Sequence, residues 1–225
     1  MEKAGRESGD TALVPASDPS ALALAVKVLK GGGLVAFPTD TVYGVGALAG
    51  DAEAVAGLYA AKERPAAKAI PVLASGWPQL LDMGIVASPL PPAAARLSGR
   101  FWPGPLTLVV PRGLQVPDVV TASGDTVAVR VPDHPVVLHL LEHLPAPLAA
   151  TSANRAGEPS PLTARDVMDQ LGGRIQFVLD GGACPGGVPS TVLDLTVAPP
   201  CILRAGPVTL ADIQPLLRGA NQCFG

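Results

Sequence analysis

Charge, aromatics, cysteine and long apolar runs are all scarce in this sequence, and each scarcity excludes a class of protein. Charged residues make up 16% of the 225, and the formal net charge is -3. A general nucleic-acid binder needs a basic face to displace counterions, so only a local basic groove remains open for that role. Aromatics, at 4%, leave little to stack against bases. The three cysteines, Cys184, Cys201 and Cys223, are odd in number and contain no C-x-x-C pair. That pattern argues against a disulfide framework or a zinc site and fits a reducing compartment. No run approaches the roughly 18 apolar residues of a membrane span. Met1 to Pro19 is polar and mixed in charge, without a signal-peptide core, so the expectation is an unexported, cytoplasmic protein. The motif G-x-x-x-x-G-K-[ST] does not occur, which excludes a Walker P-loop. Gly44-Val45-Gly46 is only a fragment of the dinucleotide fingerprint, because position 49 is Ala.

What is abundant is apolar material, at 48%, punctuated by 25 glycines and 25 prolines scattered among short hydrophobic runs. This implies many short elements joined by sharp turns. Ser20 to Leu29 carries Leu22, Val26 and Leu29 at helical spacing, with Gly31-Gly32-Gly33 as the stop. Leu34 to Phe37 reads as a buried strand ending at Pro38. A polar, glycine-bearing turn follows, and then a helix capped by Asp51. Val55, Leu58, Tyr59 and Lys62 fall on one face of that helix, and Pro65 ends it. Ala69–Leu73, Leu106–Val110, Thr126–Val131, Pro147–Ala150, Ile175–Leu179, Thr191–Leu195 and Cys201–Arg204 read as further strands. Residues 76–100 are irregular or helical. Asp133 is expected to cap a helix through Leu144, Thr163 with Asp166 to open another, and Thr209 to open the last, with Pro215 as a kink. The fold expected is α/β, a single domain whose twisted mixed parallel/antiparallel sheet is flanked by helices. Its bounds are a flexible tail at 1–19, a domain at 20–218 and a tail at 219–225.

The stretch Leu34 to Pro65 sets hydroxyls at Thr39 and Thr41 ahead of a cationic exit at Lys62 and Arg64, and Lys68 adds a third cation nearby. A flexible ammonium beside a guanidinium fork suits phosphate, although a solvated helix end is the commoner use of such a pair. Ser152-Ala153-Asn154, and Ser160 after it, are either ordinary polar turns or small donors at a strand's carboxyl end, where open α/β sheets bind ligands. Arg130 sits in mid-strand, alternating with Val127, Val129 and Val131. A charge there is expensive to bury. It is satisfied either by a carboxylate on the neighbouring strand or by a solvated cleft holding an anion. His139-Leu140-Leu141-Glu142-His143 matches the inverted zincin pattern H-x-x-E-H. The helix is short, its leucines need burial, and no good third ligand follows, so a zinc hydrolase is a distant reading.

Taken in order, VAFPTDTVYGVGA, KERP, FWPGPLTLVV, TVAVRVPDHP, TSANRAGEPSP, GGVPSTVLDL and ILRAG resemble the YrdC-like threonylcarbamoyl-AMP synthase family, over about Ser20 to Ala211. The resemblance implies a YrdC-like fold with a concave ligand-binding surface. It also implies condensation of L-threonine, bicarbonate and ATP into L-threonylcarbamoyladenylate with release of pyrophosphate. The product would feed threonylcarbamoyl modification of adenosine 37 in tRNA through a downstream transferase machinery, with any tRNA contact indirect. By the same resemblance, Thr41, Arg130, the main chain at Ala150 and Ser190 would hold threonine. Arg64, Lys68, Thr126, Ser152, Ser160 and Arg204 would hold ATP. Lys62 and Asn154 complete the family's K-x-R and S-x-N signatures, which makes Lys62, Arg64, Ser152 and Asn154 the candidate catalytic set. Mg²⁺ would come with ATP and need no dedicated protein site. Many relatives have Asn where this chain has Lys68, and some have a threonine-touching histidine near Leu73. A second C-terminal domain, found in some relatives, is not expected here. A non-catalytic RNA-binding module with a basic concave surface is the alternative reading.

Overall fold

The computed structural model describes residues 10–217. Within them ten strands form one sheet: β1 (Ala12–Pro15), β2 (Val35–Phe37), β3 (Gly44–Leu48), β4 (Val72–Leu73), β5 (Leu106–Pro111), β6 (Thr126–Arg130), β7 (Leu148–Ser152), β8 (Phe177–Asp180), β9 (Thr191–Asp194) and β10 (Cys201–Arg204). Eight helices connect them: α1 (Ala21–Lys30), α2 (Ala52–Lys62), α3 (Trp77–Asp82), α4 (Pro92–Phe101), α5 (Asp118–Thr121), α6 (Pro135–Glu142), α7 (Ala164–Leu171) and α8 (Leu210–Leu217). Strand order is β1-β8-β2-β3-β7-β4-β6-β5-β9-β10. The sheet is mixed. For example, β4 runs parallel to β6 and antiparallel to β7, while β5 runs antiparallel to β6 and parallel to β9. The α/β architecture with a mixed sheet is the one the sequence pattern predicts.

Strand alternation assigns the two faces. Leu106, Leu108 and Val110 of β5, with Val127 and Val129 of β6, enter the larger core with Val55 and Leu58 of α2, Leu97 of α4 and Val167 of α7. The opposite face is covered on one side only. There α1 (Ala21, Ala25, Leu29) and α6 (Val137, Leu140, Leu141) pack on Val35, Phe37, Leu148 and Leu179. Beyond them, over β4, β5, β6 and β9, that face carries Leu73, Thr107, Val109, Ala128, Arg130 and Val192 and opens into a cavity. The cavity is therefore the uncovered half of a sheet face.

Some local expectations change. Residues 12–15 were expected in a loose tail, but they form β1, paired in parallel with β8 over Ala12↔Phe177 to Pro15↔Asp180. Thr11 and Ala16 beside it are also tied down, Thr11 Oγ1 donating to the Ile175 carbonyl at 2.6 Å and the Ala16 amide to the Asp180 carbonyl at 2.7 Å, while residues 1–9 and the C-terminal tail at 219–225 lie outside the described residues. Gly44 to Leu48, read as part of a turn, is a strand paired with β7 along its whole length and with β2 over Gly44 to Gly46. Its glycines hide its strand character from propensity, yet they are there for close approach. A Cβ on Gly44 would lie 3.0 Å from the Phe37 ring, and one on Gly46 3.0 Å from the Ala149 carbonyl oxygen. The cap of α6 is His134, whose Nδ1 accepts from the Val136 amide at 3.3 Å. Asp133, the expected cap, instead donates its amide to Asp40 Oδ1 at 3.1 Å. The caps at Asp51 and Thr163 form as expected, the latter a complete capping box with Asp166.

Gly206 tests how tightly the segment after the cavity is held. A Cβ there would meet the Thr191 amide nitrogen at 2.4 Å and the Pro189 oxygen at 2.6 Å, both main-chain atoms. Gly206→Ala is expected to cost ~1–3 kcal/mol of stability, read as a lower urea midpoint at unchanged slope. An unchanged midpoint would show that residues 189–191 yield freely.

Candidate functional site

The cavity has a volume of about 420 Å³, and most of its wall is strand. β6 supplies Thr126, Ala128 and Arg130, the alternation the sequence predicts. Arg130 is only 6% exposed. Its Nε donates to the Gly104 carbonyl at 2.9 Å, its Nη1 to Thr41 Oγ1 at 3.2 Å and its Nη2 to Asp40 Oδ1 at 2.5 Å. The two readings of Arg130 thus merge. A carboxylate does pair with it, from the loop between β2 and β3 and not from a neighbouring strand, and the guanidinium still faces the cavity. Three of its five N–H donors are engaged in these bonds, which leaves two for a ligand. Burial lowers the Arg130 pKa, and the Asp40 carboxylate opposes that shift.

Thr41 is oriented by its own turn. Thr39 Oγ1 accepts the Thr41 amide at 3.1 Å and donates to the Val42 carbonyl at 2.7 Å. Across the cavity, Arg204 on the edge strand β10 holds Ser190 twice, Nε to its carbonyl at 2.9 Å and Nη2 to its Oγ at 2.9 Å. Arg64 follows the left-handed residue Glu63 and turns back on its own loop, donating to the carbonyls of Lys68 at 3.3 Å and Ala69 at 2.9 Å. Burial is the main cause that lowers the pKa of Arg64 and of Arg204. The charge of Arg64 lowers Arg204 further, and that of Arg204 lowers Arg130. The three guanidiniums share one enclosure and make it strongly attractive to anions.

The structure brings together Thr41, Arg64, Thr126, Arg130, Ala150, Ser152, Ser190 and Arg204 in the cavity wall. It leaves four candidates out of that wall. Lys68 is exposed on the loop that Arg64 grips. Ser160 lies beyond the β7 turn, partly buried. Asn154 stands behind the wall, where its Oδ1 accepts from Ser152 Oγ at 2.5 Å and its Nδ2 donates to the carbonyls of Arg155 and Glu158, both at 2.8 Å. Lys62, expected beside the pocket as a cation at a helix end, is 2% exposed. Its Nζ donates to the carbonyls of Ser152 and Asn154, so it pegs the end of β7 to α2. The sequence reading missed Thr107, Val109 and Val192 as cavity residues, although the alternation that exposes Arg130 also exposes them. His143, in the zincin-like pattern, sets its Nδ1 2.8 Å from the His139 carbonyl oxygen at the end of α6.

Residues 27–206 match the Sua5/YciO/YrdC family, described as "Telomere recombination". The chain is 45% identical to the threonylcarbamoyl-AMP synthase of Pyrococcus abyssi over 86% of its own length and 56% of the relative's. It is 42% identical to the threonylcarbamoyl-AMP synthase of Bacillus subtilis, over 89% of this chain and 57% of the other. It therefore spans just over half the length of these curated relatives. The crystal structure of P. abyssi Sua5 complexed with L-threonine superposes with a TM-score of 0.86 at 42% identity, covering 92% of this chain and 61% of that one.

Lys62 gives a pH prediction. Burial, and then the charge of Arg64, lower its pKa to about 7 from 10.5. Between those values the unfolded chain holds a proton that the folded chain does not, so stability rises with pH across that window and the contribution is complete above it. Urea unfolding at pH 7 and pH 9.5 is expected to show this rise, and Lys62→Met to lose it. Equal pH slopes in the two proteins would place the Lys62 ammonium in water.

Proposed function

The chain belongs to the Sua5/YciO/YrdC family, and from that premise we propose that it is a threonylcarbamoyl-AMP synthase. The observation that carries the reading is that two groups of cationic donors line one cavity, Arg130 with Thr41 and Arg204 with Arg64. Threonine's carboxylate would lie against Arg130 and Thr41, near the main chain of Ala150 and the Ser190 hydroxyl. The phosphates and ribose of ATP would lie among Arg64, Thr126, Ser152 and Arg204, with Lys68 and Ser160 reaching in from the rim. The amine of threonine and bicarbonate give a carbamate with loss of water, and a carbamate oxygen attacks the α-phosphorus as pyrophosphate leaves with the electron pair of the broken P–O bond. No protein nucleophile is needed. The chain's part is to hold two anions in line and to offset the charge that develops on the leaving group. The Lys62 peg and Asn154 would act by fixing the S-x-N turn that presents Ser152.

Among the described residues the cavity wall offers hydroxyls and guanidiniums and no carboxylate. That donor set fits Mg²⁺ carried on the nucleotide's phosphates, and does not fit an ion held by the protein. No helix among the described residues is long and apolar enough to cross a membrane, and the place of work we propose is the cytoplasm. There the product would pass to the machinery that modifies adenosine 37 of tRNA, with tRNA contact indirect. The RNA-binding alternative needs free cations on an open face, whereas Arg130 is buried in the cavity and paired with Asp40, and Arg204, although exposed, is bound to Ser190.

With purified protein, pyrophosphate release from ATP is expected to require both L-threonine and bicarbonate and to fall to background when either is omitted. Release indifferent to both omissions would sink the synthase reading, as would steep salt-dependent RNA binding without turnover. Arg130→Ala is expected to raise the threonine KM at least ~30-fold, since losing one partner of a buried charge pair costs ~2–5 kcal/mol, with a smaller change in the KM for ATP. Arg130→Lys, which keeps the charge and loses the fork, should fall between the two.

A further inference from the structure

Thr107 is flanked on β5 by Leu106 and Leu108, which pack into the larger core, so its side chain turns to the cavity. It is 1% exposed, and its Oγ1 lies 2.8 Å from Ser190 Oγ. Ser190 Oγ in turn accepts an N–H from Arg204 Nη2 at 2.9 Å. The two hydroxyls carry two hydrogens between them, and one of these joins them. Whichever hydroxyl donates, the other O–H has no acceptor among the described residues. The guanidinium favours one direction. Its N–H polarises Ser190, Ser190 donates to Thr107, and the free hydrogen rests on Thr107. A buried O–H without an acceptor is costly, and the end of such a chain is a strong donor. The register Leu108↔Val129 puts Thr107 beside Arg130 on the same sheet face.

We propose that Thr107 is a further substrate-contacting residue, whose hydroxyl donates to an oxyanion of the amino-acid half of the substrate, its carboxylate or the carbamate built on its amine. This rests on the synthase reading above. It makes Thr107 and Ser190 a single donor unit primed by Arg204, so that the nucleotide-side guanidinium also sharpens recognition on the amino-acid side.

The test uses the full chain with L-threonine and ATP as probes, in direct calorimetric binding and in the pyrophosphate assay. Thr107→Val keeps the shape and loses the hydroxyl. It is expected to weaken threonine binding and raise the threonine KM about 10-fold, with the ATP KM within about 2-fold, as for loss of a hydrogen bond to a charged group. Thr107→Ser restores threonine binding to within about 2-fold. The Thr107→Val and Ser190→Ala effects on threonine binding are expected to be less than additive, as for one unit. Wild-type threonine affinity in Thr107→Val overturns the proposal. So does a loss shared equally by threonine and ATP, with a lower unfolding midpoint and no rescue by Ser, which marks a packing role. A wild-type chain that binds no threonine at all overturns the synthase reading itself, and this proposal with it.

Discussion

The ion pair between Arg130 and Asp40 is the constraint on which the rest of the site depends. It joins residues 90 apart in sequence, one at the carboxyl end of β6, where the strand stops one residue short of the expected Val131, and one in the loop that leaves β2. Both side chains are largely out of water, at 8% and 14% exposed. Removing one partner from such a pair would strand the other and cost about 3–5 kcal/mol. The pair is also incomplete. Asp40 Oδ2 is buried without a partner among the described residues, and Arg130 keeps two donors. The carboxylate aims the guanidinium without saturating it.

The fold supplies the frame for this pair by an imbalance of layers. One face of the sheet is covered by α2, α4 and α7, the other only in part, by α1 and α6. An uncovered sheet face is normally polar, and here Thr107, Thr126 and Arg130 have that character while Val109, Ala128 and Val192 leave apolar patches between them. The cavity-facing residues, polar or not, come at every second position because the strand period is two. Each cationic group is then held from behind: Arg130 by Asp40, Arg204 by Ser190, Arg64 by carbonyls of its own loop. Little side-chain entropy remains to be lost when an anion enters.

How much of this was legible in the sequence differs by residue, and the reasons are physical. The mixed α/β pattern, the helix caps at Asp51 and Thr163, and the cavity-facing Arg130 follow from periodicity and local chemistry alone. Thr107 obeys the same periodicity but escapes notice, because threonine is an ordinary strand residue whereas arginine is an anomaly there. Lys62 was legible in part. Its spacing from Val55, Leu58 and Tyr59 puts it on the apolar face of α2, and that spacing outweighs the habit of lysines at helix ends. Asp40 as the partner of Arg130 and Ser152 as the ligand of Asn154 are tertiary choices of different kinds. The first spans 90 residues and carries no local signal, while the second spans two and lies within the S-x-N motif. β3 escaped because its glycines answer to Phe37 and Ala149, which are neighbours only once the sheet exists.

The alternation of β6 has a consequence for how this chain can change over time. Side chains on a strand swap faces with a shift of one position, so a single-residue insertion or deletion ahead of Arg130 would drive the guanidinium into the hydrophobic interior and turn Val129 toward the cavity. Interior and cavity would fail together. Change in this strand is therefore restricted to substitution in place, while length variation is left to the loops, and the spacing from Thr126 to Arg130 behaves as a ruler that the lineage cannot recut.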